Sequence, residues 1–63
     1  MDLELAEATI RYVLADSREK SIRFEATQGP LTPEGFARIR EAEALTEAAR
    51  QELHRLYQVR LGR

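Results

Sequence analysis

Two apolar repeats run through the first part of the chain. Leu3, Ala6, Ile10, Val13 and Phe24 share one seven-residue repeat, with Leu14 alongside and Ser17 in the gap. Leu5, Ala8, Tyr12, Ala15, Ile22 and Ala26 share a second, interrupted by Glu19. On a helix turning about 100° per residue, the two sets lie on different sides of one rod. From Leu3 to Thr27 there is no glycine or proline and good helix formers dominate, so the pattern predicts a first helix over about 3–27. Asp2 stands where an N-cap belongs, and Gly29 followed by Pro30 supplies the stop expected just past a helix end. SIRFEAT, residues Ser21 to Thr27, also alternates polar with apolar and carries Ile22 and Phe24, as a half-buried strand would. The pattern therefore leaves this stretch open between a continuous helix, a helix broken near Asp16 to Ser21, and a strand.

The second half opens on a clearer signal. Thr32, Pro33 and Glu34 are a capping hydroxyl, a proline at the first helical position and an acid in the first turn. A second helix is predicted over 33–61, with Ala42, Ala49 and Leu56 on one heptad position and Leu45 and Val59 on another. Ile39 and Leu53 widen the stripe, Tyr57 and Leu61 flank it, and Gly62 ends it. Between the helices, ATQGPLTPEG at residues 26–35 holds both prolines and two of the three glycines. A phosphate-cradling loop needs lysine and a hydroxyl residue after its second glycine, whereas Phe36 follows Gly35. Residues 28–32 read as a corner, short enough to join antiparallel neighbours.

The expected fold is thus all-α: one antiparallel helical hairpin forming a single domain over residues 1–63. A second helix covers only one stripe of the first. The other stripe, read here as Leu5, Tyr12 and Ile22, is expected to meet a second copy or another protein, with Tyr57 and Leu61 at the flank. A twofold dimer would then make a four-helix bundle.

Composition strengthens that expectation. Domains of 63 residues bury only about 60% of the surface that their unfolded chains expose, so the core needs a supplement. With no cysteine and a single histidine, His54, neither a disulfide framework nor a zinc site is at hand. Self-association remains. Ten basic residues stand against eleven acidic ones, which is not the positive field of a dedicated nucleic-acid binder. Acids Asp2, Glu4 and Glu7 gather at the start, and bases Arg50, Arg55, Arg60 and Arg63 at the end, matching the dipoles of helix termini. No apolar run is long enough for a signal peptide or a membrane span, so a cytoplasmic location is expected.

Catalytic chemistry is hard to place. His54 has Arg50 four residues before it and Gln58 four after, and neither orients an imidazole as a carboxylate would. Glu41 and Glu43 are two apart and point to different sides of a helix. The expectation is a protein without enzymatic activity and without a cofactor: a small dimeric adaptor or regulator that binds another protein. The alternative is a nucleic-acid-binding regulator, with Arg50, His54, Arg55 and Arg60 around Tyr57 supplying phosphate contacts and a stacking ring.

One stretch resembles a known family. TPEGFARIREAEALTEAA, residues 32–49, is similar to the opening of phage-repressor-type helix-turn-helix domains, where a Thr-Pro-Glu cap leads through an Ile-Arg-Glu-Ala helix to a Leu-Thr that starts the next. The resemblance implies that Leu45 and Thr46 close one helix and cap another, although Ala44 stands where that family places a turn glycine. In length and expected shape, the paired hairpin is also similar to plasmid-encoded RNA-pairing regulators.

Overall fold

A computed structural model describes residues 2–62 and contains two α-helices, α1 over Leu3–Ala26 and α2 over Pro33–Leu61. Each begins as its sequence dictates. Asp2 is extended and its Oδ1 accepts from the Leu5 N–H at 3.1 Å, while the Thr32 hydroxyl accepts from the Gly35 N–H at 3.0 Å. These caps satisfy main-chain donors that the first turn leaves without intrahelical partners.

Residues 21–26 continue α1 rather than forming a strand or a break. A lone strand would leave its main-chain groups unpaired, and the helix pairs them within the segment. The end of α1 differs in detail from the expected glycine stop. Thr27 closes the helix in right-handed geometry, its N–H shared between the carbonyls of Arg23 and Phe24 and its hydroxyl donating to Phe24 at 2.7 Å. No described glycine has positive φ. The chain turns because Pro30 lacks an N–H and disfavours helical geometry in the residue before it. α2 runs unbroken through Leu45 and Thr46, so the helix-turn-helix resemblance does not extend to the fold.

The helices pack antiparallel along an elongated body of 50 × 17 × 11 Å. Polar links tie the helices along their length: Arg60 with Asp2 and Glu4 at the open end, Ala15 with Thr46 in the middle, and Arg23 with Glu43 and Glu25 with Arg38 towards the corner. Counting outward from Ala15 and Thr46 brings Leu5 level with Leu56, Ala8 with Leu53, Tyr12 with Ala49, Ile22 with Ile39, and Ala26 with Gly35. Ala8 level with Leu53 and Tyr12 with Ala49 set a small residue against a large one, Ala15 with Thr46 and Ala26 with Gly35 are small on small, and Leu5 with Leu56 and Ile22 with Ile39 are large on large. The core is thin. Ala8, Ile22, Ala42 and Leu56 are its buried members, and no described side chain is completely enclosed. No helix is long and apolar enough to cross a membrane among the described residues.

Candidate functional site

The two stripes of α1 take opposite roles to those expected. Ile22 is buried and Leu5 and Tyr12 are half-buried on the side turned toward α2. They belong to the seam within the hairpin and are not its free surface. The free surface is the first repeat: Leu3, Ile10, Val13, Leu14 and Phe24 are between 56% and 67% exposed. The correction has a geometric cause. Leu3 and Leu5, Ala8 and Ile10, and Ile22 and Phe24 are each two positions apart, about 200° around the helix, so turning one set inward turns the other outward. Sequence periodicity detects both stripes but carries no label for the one α2 takes.

The free stripe faces away from α2 and is bordered by charge. Glu7 pairs with Arg11 at 3.4 Å on one flank, and Lys20 with Asp16 at 3.0 Å on the other. Asp16 raises the Lys20 pKa, mainly through their side-chain hydrogen bond. The apolar surface continues over Leu14 into an open groove of about 310 Å³ floored by Ala15, Leu45 and Ala49, with Arg11 and Arg18 at the rim. Ser17 and Lys20 interrupt the stripe towards its C-terminal end.

Of the other candidate positions, Tyr57 and Leu61 are exposed, near the open end of the hairpin and outside the seam. His54 is exposed, with Nε2 at 3.3 Å from Nε2 of Gln58. The arginines around it are already engaged. Arg50 bonds Glu47, Arg55 bonds Glu52 at 2.9 Å, and Arg60 bonds Asp2 and lies 3.6 Å from Glu4. Glu47 and Glu52 are held more readily ionised by their arginines, and the Asp2 pKa falls to about 2 through its bond with Arg60 and the Leu5 N–H. Local pairing of this kind cancels the field that would attract phosphate. Arg63, counted among the terminal bases, lies outside the described residues.

Fold and surface together define a small all-α hairpin with one unpartnered apolar helix face. No protein-family model, curated protein or solved structure matches the chain.

Proposed function

We propose that this chain is a non-enzymatic protein–protein interaction module, a cytoplasmic helical adaptor or regulator that works as a homodimer of hairpins, four helices in all, and binds another protein. The observation that supports this reading is the stripe Leu3, Ile10, Val13, Leu14 and Phe24, more than half exposed at every position and directed away from the rest of the chain. Large contiguous apolar patches on small proteins mark association surfaces. The arginine-rich end of α2 does not favour the nucleic-acid reading, because Arg50, Arg55 and Arg60 each hold a carboxylate.

Sedimentation equilibrium at micromolar concentration tests the assembly. A mass of twice 7.2 kDa is expected, and a folded species that stays monomeric would defeat the proposal. Affinity capture from native lysate, with and without nuclease, tests the partner class. Proteins retained after nuclease treatment agree with the reading; loss of every captured species would favour a nucleic-acid partner.

A further inference from the structure

We infer that the groove on one flank of the seam is the partner site, and that its occupant is an acidic, amphipathic helical segment of another protein. This rests on the interaction reading above and separates the partner's surface from the free stripe of α1.

The two flanks of the seam are built differently. Tyr12 and Arg18 stand three positions before and after Ala15, about 60° to either side of the line that faces α2. Glu43 and Ala49 stand likewise around Thr46 on α2. On the Tyr12 flank the seam is covered: the tyrosine is half-buried, and Arg23 bonds both Glu19 of its own helix and Glu43 of α2. On the Arg18 flank α2 offers Ala42 and Ala49, too short to reach across, and the groove of about 310 Å³ stays open beside Leu14 and Leu45.

The groove is longer than this one hollow. It runs on through a smaller hollow of about 30 Å³ that shares Arg18, Ala42 and Leu45 and reaches Ile22 and Arg38. Beyond it the Arg38–Glu25 pair bridges the two helices. From Arg11 to Ile22, and equally from Ala49 back to Arg38, is about 16 Å at 1.5 Å per residue, or three helical turns. That length takes the anchors a docked helix presents at i, i+3, i+4 and i+7. Ala42, Leu45 and Ala49 follow the spacing at which one helix receives the side chains of a neighbour.

Charge on the rim selects the occupant. The charged residues lining the two hollows are Arg11, Arg18, Arg38 and Glu41, three bases against one acid in a chain whose net charge is −1. Among the described residues Arg18 has no ion pair. Arg11 holds Glu7 at 3.4 Å and Arg38 holds Glu25 at 3.7 Å, with all four side chains at least 60% exposed, and pairs so exposed contribute little. Arg11 and Arg18 are seven positions apart on one rim, the spacing at which charges flanking a helical seam meet their counterparts on a partner helix. No aromatic residue lines either hollow, so the groove offers a nucleic-acid base nothing to stack on.

The probe is a synthetic amphipathic peptide of about four helical turns, with leucines at i, i+3, i+4 and i+7 flanked by glutamates, and a twin carrying glutamine at every glutamate. Fluorescence anisotropy with the whole chain is expected to show saturable binding of the acidic peptide and binding of the twin weaker by about threefold or more. Arg18→Gln is expected to weaken the acidic peptide by about two- to fivefold and to leave the twin unchanged. Leu45→Glu, at a position 48% exposed, places a carboxylate in the groove and is expected to weaken both by about tenfold or more. Val13→Glu, on the free stripe, is expected to leave binding intact. Circular dichroism checks that each variant is folded, and if Leu45→Glu loses its helical signal, Arg18→Gln decides. Four results would each overturn the inference: no binding of the acidic peptide to the folded chain, binding removed by Val13→Glu and kept by Leu45→Glu, displacement of the peptide by an equimolar duplex oligonucleotide, or a sedimenting mass halved by Leu45→Glu, which would give the groove to a second copy. In each case the interaction reading stands or falls separately, on the natural chain's sedimentation and on its capture of proteins from lysate.

Discussion

The hydroxyl of Thr46 on α2 lies 3.2 Å from the main-chain carbonyl oxygen of Ala15 on α1, and 3.0 Å from that of Ala42 one turn back on its own helix. The hydroxyl has one proton to donate, and both carbonyls lie within its reach. Only a small residue at position 15 admits this approach. The pair therefore joins the two packing facts of the hairpin, its alanine-lined seam and its antiparallel register.

Replacing Thr46 with valine keeps the shape and removes the donor. A half-buried hydrogen bond of this kind contributes about 0.5–1 kcal/mol, so Thr46→Val is expected to lower the melting temperature by several degrees in a domain of this size. Circular dichroism melts measure this directly. An unchanged melt would assign register to the apolar seam alone.

Tyr12 and Val13 are neighbours with opposite assignments. Tyr12 faces α2, so Tyr12→Glu forces a carboxylate into the seam opposite Ala49 and is expected to unfold the hairpin, with loss of helical signal at any protein concentration. Val13 faces outward, so Val13→Glu is expected to preserve helical signal at high protein concentration while halving the sedimenting mass. Equal effects of the two substitutions would contradict the division of stripes.

Asp2 supplies a pH dependence. Its folded-state pKa lies at about 2, below the ordinary 3.8, because Arg60 and the Leu5 N–H hold the charged carboxylate. A depressed acid contributes stability that is full above its unfolded pKa and is lost as pH falls through its folded value. The advantage of the natural chain over Asp2→Asn, which keeps a capping side chain, should be complete above about pH 5, be largely lost by pH 2 and vanish near about pH 1. Melts of the two proteins across that range are the measurement. An advantage that persists unchanged at pH 2 would show that charge is not involved.

Gly29 is dispensable as a glycine. Nothing lies within 4 Å of where its Cβ would stand, and its φ is not positive. Gly29→Ala is therefore expected to stabilise the hairpin by about 0.4–1 kcal/mol, because alanine restricts the unfolded chain more. A fall in melting temperature would indicate that the corner needs the glycine's freedom.

Both helices, the N-caps Asp2 and Thr32, the corner at residues 28–32 and the two stripes of α1 were legible in the sequence, because these depend on local spacing. Hydrophobic residues three and four apart must share a face, a hydroxyl before Pro33 must cap, and Pro30 must stop a helix, whatever surrounds them. The strand reading of residues 21–27 gave way to helix for the same local reason, since the uninterrupted run from Leu3 satisfies its own main chain. What the sequence left undecided was the face of α1 given to α2. Leu5 and Leu3, or Ile22 and Phe24, are equally apolar, and their choice is made by complementarity across the seam: Tyr12 against Ala49, Ala8 against Leu53, and the Thr46 hydroxyl against the Ala15 carbonyl. Only the paired helices express that relationship, because it joins residues about thirty to forty-five positions apart in the chain. By filling one side of α1, the tertiary structure exposed Leu3, Ile10, Val13, Leu14 and Phe24 on the other.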